Sequence, residues 1–161
     1  MREKAVQALS AIASVFVLIA LFTPLWNISG PFGYSSEIRL SYIDILTNIG
    51  HFSSPFSGGH NSVADSQAAM GIMLIIISAF CALLTLILSV ISAVSKKGMS
   101  VAAAFAWITV VTAYIGTERV ISASLIMRAV TSTIVNINMG TAVVFMILAG
   151  VLLIAAWVLK R

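Results

Sequence analysis

Four stretches of the chain, 5–36, 66–95, 98–117 and 129–159, contain no Asp, Glu, Lys or Arg and are dominated by apolar residues. A bilayer core about 30 Å thick needs about 20 such residues at about 1.5 Å per residue. The pattern therefore predicts four spanning helices. The first covers 5–26, where Pro24 and the Asn27-Ile-Ser-Gly-Pro31 turn residues stop it. The others cover 67–95, 99–116 and 140–159. The second exceeds the bilayer requirement and is expected to tilt or protrude. The first has a basic start, but its apolar run is longer than the about 7–15 residues of a signal-peptide core, so it reads as a retained helix.

Between the spans the pattern changes. The connection at 96–98 is a tight turn, whereas the loops at 27–66 and 117–139 are long enough to require structure of their own. Residues 37–45 alternate polar and apolar, the period of a half-buried strand, and the β-branched stretch 132–138 is a candidate to pair with it. Residues 120–130 set Arg128 among Ile, Leu and Val, which fits an extension of the third helix or an interfacial helix. The expected fold is an all-α membrane protein: one four-span domain over 1–161, a left-handed transmembrane bundle with a small extracytoplasmic cap able to hold a short β-sheet.

Composition and charge sharpen this reading. The chain is 60% hydrophobic and 9% charged, against about 25% charged for a soluble domain, so it cannot clothe a water-facing surface of ordinary composition. Disorder is excluded by the same figures. Arg2, Lys4, Lys96, Lys97, Lys160 and Arg161 fall on one side of the predicted membrane against the single acid Glu3. The other side sets Arg39, Arg119 and Arg128 against Glu37, Asp44, Asp65 and Glu118. The positive-inside rule then predicts a multi-pass protein of the cytoplasmic membrane with both termini cytoplasmic. The basic residues sit at span ends and form no patch, so nucleic acid is not an expected partner.

Small residues recur along the spans. Ala68, Gly71, Ser78, Ala82, Thr85, Ser89 and Ser92 mark the second, and Ala102, Ala106, Thr109, Ala113 and Gly116 the third. In the fourth, Ala142, Ala149 and Ala156 recur every seven residues beside Gly150. Lipid tails are as apolar as leucine, so such seams are where helices approach closely, and a seven-residue repeat implies a left-handed bundle.

The four spans, the long first and shorter second outer loops and the tight inner turn resemble the claudin-like tetraspan superfamily. Thr23-Pro-Leu-Trp26 followed by Asn27-Ile-Ser-Gly30 is similar to the Trp-containing start of that family's first outer loop. It also resembles the Pro-Trp junction of uncharacterised prokaryotic four-span membrane proteins. Claudins carry two cysteines in that loop, and this chain has only Cys81, within its second span. The resemblance implies structural, adhesive or accessory proteins, some of which line paracellular pores.

Candidate chemistry is sparse. A lone cysteine rules out an internal disulfide or a multi-thiolate metal site. His51, His60 and Asp65 lack the spacing and rigid setting of a metal site, so none is expected. The predicted span interiors hold no ionisable residue of the kind that marks proton relays and ion pathways. No phosphate loop, nucleophile–base pair or cofactor motif is present, and no enzyme, cofactor or small-molecule substrate is expected. Asn27-Ile-Ser29 is a glycosylation sequon, but its closeness to the membrane argues against modification. Trp107 is expected to fill the bundle core, and Glu118–Arg119 to form a local or interfacial pair. The outer cap, with Trp26, Phe32, Tyr34, Glu37, Arg39, Glu118, Arg119 and Arg128, and with Phe52 and Phe56 further along, is the expected interaction surface. The leading expectation is a non-catalytic tetraspan acting in assembly, with membrane lipids and either itself or other membrane subunits as partners. The alternative is a homo-oligomeric channel with a pore lined by Ser78, Thr85, Ser89 and Ser92.

Overall fold

The computed structural model of the chain describes residues 2–29, 38–48, 62–95, 97–131 and 136–160. In order, they form α1 (Arg2–Phe22), β1 (Pro24–Ser29), β2 (Ile38–Ser41), α2 (Tyr42–Thr47), α3 (Ser62–Ser95), α4 (Met99–Thr131), β3 (Asn136–Met139) and α5 (Ala142–Lys160). Four of the helices, α1, α3, α4 and α5, are long and apolar enough to cross a membrane. The protein is a four-helix bundle carrying a small three-stranded sheet, and it fits an integral, multi-pass membrane protein.

Neighbouring helices pack around a square, α1 on α3, α3 on α4, α4 on α5 and α5 back on α1. Each turns inward at alternating steps of three and four residues, the spacing that keeps one helical face on a partner. On α5 these are Ala142, Met146, Ala149, Leu153 and Ala156, and on α1 Val6, Ser10, Ala13, Val17 and Ala20. The outward faces carry large apolar groups such as Ile12, Val15, Met73, Ile87, Val111 and Val151, as expected for contact with lipid.

Several local features refine or depart from the sequence expectations. The first helix ends at Phe22 and not at residue 26, because Pro24 disfavours helical geometry in the residue before it and the chain leaves as a strand. The stretch read as a turn is therefore β1, the central strand of an antiparallel sheet ordered β2-β1-β3. Within the predicted strand 37–45, only Ile38–Ser41 is extended. There a capping box, Ser41 Oγ accepting from the Asp44 amide and the Asp44 carboxylate accepting from the Ser41 amide, starts α2. The later strand forms as Asn136–Met139 but pairs with β1, placing Ile137 opposite Ile28 and Met139 opposite Trp26. The third long helix runs on past residue 116 to Thr131, so of the two readings of residues 120–130 the structure has the helix extension, and only the span end at 116 moves. Val120 and Ala123 stay buried there, so the seam does not end at Gly116, and no proline interrupts it.

Candidate functional site

The seams come first, because they decide what the bundle interior can do. Ala82, Ala102, Ala106, Ala113, Ser78, Thr85, Ser89, Ser92 and Thr109 are all fully buried inside the single chain. Their hydroxyls are consumed locally. Ser78 Oγ donates to the Ile75 carbonyl at 2.7 Å, Thr85 to Cys81 at 2.8 Å, Ser89 to Leu86 at 2.8 Å and Thr109 to Phe105 at 2.8 Å. Ser92 instead donates to the Lys97 carbonyl at 2.9 Å, tying the end of α3 to the inner turn, where Gly98 adopts a φ of 81°. That left-handed geometry favours glycine.

Gly116 and Gly71 meet where α3 and α4 cross. A Cβ on Gly71 would lie 2.8 Å from the Gly116 carbonyl oxygen, and one on Gly116 would lie 2.9 Å from that of Gly71. Two backbones thus touch with no side chain between them. Trp107 does not fill the core as expected. It is 38% exposed, on the outer face of α4, with its indole against Gly150 of α5.

At the other end of the bundle, the cap is anchored by contacts from three elements. Trp26 is buried, and its indole N–H donates to Thr117 Oγ1 on α4 at 2.8 Å. Gly140, between β3 and α5, donates its amide to the Leu25 carbonyl at 2.6 Å. A Cβ there would overlap the Pro24 carbonyl, coming 2.6 Å from its carbon, so only glycine allows this approach. Tyr42 on α2 is fully buried, in the same core cluster as Leu21, Trp26 and Ile45. Its hydroxyl makes no hydrogen bond of acceptable geometry. Burial raises its pKa above the ordinary tyrosine value, with Ser78 the neighbouring group that favours the ionised form.

Arg119 reaches across to the neighbouring long helix. Its guanidinium donates to Gln67 Oε1 on α3 at 2.6 Å, bridging the two long helices beyond the apolar seam, while Glu118 is exposed. Asp44 is engaged by Ser41, whose hydroxyl and amide donate to its carboxylate at 2.7 and 2.8 Å. These two bonds hold its carboxyl below the usual range. Phe32, Tyr34, Glu37, Phe52, Phe56, His51 and His60 lie outside the described residues, as do the side chains of Asp65 and Arg128. Among the described residues no cluster of His, Cys, Asp and Glu could hold a metal.

The sheet presents one polar row. Asn27 on β1 stands opposite Arg39 on β2 and Asn138 on β3. Arg39 and Asn138 are exposed and Asn27 half-buried, while Trp26, Ile28, Leu40 and Ile137 on the opposite face join the core cluster. Thr117, Gln67, Tyr42 and Gly140 are the anchoring residues that sequence reasoning missed. Gly140 carried a signal, as a lone glycine between a β-branched stretch and a span; the others are defined only by partners distant in the chain.

No protein-family model matches the chain, and no curated protein matches it. What the site can do is read from its own geometry: a closed bundle interior in which the seam hydroxyls of α3 and α4 are satisfied while Ser10 Oγ on α1 is buried without a partner, and a polar strip on a firmly held sheet.

Proposed function

We propose that this chain is a non-catalytic tetraspan of the cytoplasmic membrane that acts in assembly, as a structural or accessory subunit, with claudin-like architecture and its termini on the cytoplasmic side. The observation that carries this reading is the anchored sheet with its row Arg39–Asn27–Asn138 facing away from the core. A guanidinium at the end of a row of two amides suits a polar protein surface offering carboxylates and carbonyls. Burial of the seams supports association through the cap and outer faces, because the small residues are already engaged within one chain. It also weighs against a pore between copies lined by Ser78, Thr85, Ser89 and Ser92. Such a pore would require these side chains to turn out of a packed interior.

The test is the mass of the particle extracted in mild detergent, with its subunits identified by mass spectrometry. A particle containing a second protein, lost when Arg39→Glu and Asn138→Asp are introduced together, is the expected result. A bare monomer, or a ring of this chain that conducts in liposomes, would overturn the assembly reading.

A further inference from the structure

Trp107 brings a polar group to the outward surface of a spanning helix. Its ring is 38% exposed on the flank of α4 that borders α5, and its indole N–H has no acceptor among the described residues. Seven residues earlier on the same flank, Ser100 is exposed and its hydroxyl is likewise unbonded among the described residues. A spacing of seven keeps both on one helical face. Trp N–H groups taken out of water usually find a partner, because hydrocarbon offers none.

α1 carries the complement at the same height. Ser14 Oγ gives its proton to the Ala11 carbonyl at 2.7 Å and keeps its lone pairs for another donor. Seven residues earlier is Gln7, half-buried, whose side-chain amide makes no bond among the described residues. Val6 and Met99 lie in one buried cluster, which sets a common level for α1 and α4. Gln7 and Ser100 are each one residue beyond that level, and Ser14 and Trp107 each eight, about 12 Å along helices that run the same way. Phe16 stacks on Phe145 of α5. At about 100° per residue, Ser14 and Gln7 lie about 160° and 180° round α1 from Phe16, on the side toward α3. The two rows therefore occupy opposite sides of the square. Ala11, exposed beside Ser14, leaves a notch that admits a large ring.

We propose that copies of this chain associate side by side in the membrane, the Ser100–Trp107 row of α4 in one copy seated on the Gln7–Ser14 row of α1 in the next. The indole N–H donates to Ser14 Oγ and the Ser100 hydroxyl to the Gln7 side-chain carbonyl, with the Trp107 ring over Ala11. Donor and acceptor rows lie on different sides of one chain, so the contact is heterologous and repeats from copy to copy as a row or a closed ring. This deepens the assembly reading by naming a second copy as the partner of the membrane faces. It rests on that reading only for insertion of all copies in one orientation.

Disulfide cross-linking in the membrane tests this, in the full chain with its only cysteine removed by Cys81→Ala. Two differently tagged copies are co-expressed, one with Ser14→Cys and one with Trp107→Cys. A mild oxidant is expected to join them into a dimer carrying both tags. Gln7→Cys with Ser100→Cys should do the same, which decides the matter if Trp107→Cys misfolds. Val15→Cys with Met73→Cys, exposed positions outside the rows, should give no mixed dimer. Trp107→Phe keeps a ring and loses the donor, and should weaken association of labelled copies in liposomes about threefold, the scale of one interhelical hydrogen bond in a membrane. Arg39→Glu with Asn138→Asp alters the cap alone and should leave the cross-links intact, so loss of a second protein and loss of self-association are read separately. No mixed dimer at either matched pair, an equal yield from the control pair, joining of Ser14→Cys copies to one another, or unchanged association of Trp107→Phe would overturn the proposal.

Discussion

The indole N–H of Trp26 donates to Thr117 Oγ1 at 2.8 Å across 91 residues of chain, and Thr117 passes its own proton to the Ala113 carbonyl at 2.7 Å. The strand that follows the first helix is thereby fastened to the third long helix through a fully used hydroxyl. Trp26→Phe keeps most of the bulk and removes one donor, for an expected loss of about 1 kcal/mol. Thr117→Val strands the indole N–H in an apolar setting and should cost more, about 2 kcal/mol. The double variant should cost less than the sum, because both changes remove the same bond. Thermal or denaturant unfolding in a fixed detergent measures all three.

Gly71 and Gly116 should behave as one site. Gly71→Ala places a methyl group 2.8 Å from the Gly116 carbonyl oxygen, and neither backbone can yield without moving a helix. The expected loss is about 2 kcal/mol for either substitution. Once α3 and α4 have been pushed apart by one methyl group, the second should add little, so Gly71→Ala/Gly116→Ala is expected to fall well short of additivity. A fully additive result in the unfolding assay would show that the two glycines do not share a contact.

Much of the helical frame was legible in the sequence, because uncharged runs and the three-four spacing of small residues follow from local composition. The sheet was legible only in part. In 37–45 the alternation was real, yet Ser41 and Asp44 cap a helix from inside it, and a side-chain-to-backbone bond outweighs a strand pattern there. At 24–29 the proline and the Asn-Ile-Ser-Gly run resemble a turn, while the Trp26 and Ile28 that make it a central strand gain their meaning from burial against α4 and β3. Arg119 posed the same difficulty, since Gln67, its partner, is 52 residues away.

Tyr42→Phe is expected to preserve or raise stability. The hydroxyl is buried without an adequate hydrogen bond, and the nearby Ser78 proton is already given to Ile75. Removing an unsatisfied buried hydroxyl while keeping the ring should gain up to about 1 kcal/mol. A loss of more than about 1 kcal/mol in the same assay would show that the hydroxyl is bonded in solution.

Asp44 should give the cap an acid-sensitive start to α2. Its folded pKa is lowered by the Ser41 hydroxyl and amide, so its contribution is fully present above the unfolded value of about 4. It is lost as pH falls through the lower, folded value. The melting temperature of wild-type protein should therefore drop more steeply on acidification than that of Asp44→Asn. Parallel curves for the two proteins would remove Asp44 from the pH dependence.

β1 leaves α1 after a single residue, Thr23, and β3 enters α5 through Gly140 and Thr141, while β1 and β3 are hydrogen-bonded neighbours. The sheet therefore acts like the joint of a pair of compasses, with α1 and α5 as its legs. At that end the pairing of β1 with β3, about 4.8 Å apart as adjacent strands are, ties the ends of the two helices together. Spreading the legs there would break the ladder, whereas at the termini they are held by side chains alone. Mechanical compliance of this bundle is thus concentrated in one leaflet, and changes in lateral pressure there would be felt as a change in the angle between α1 and α5.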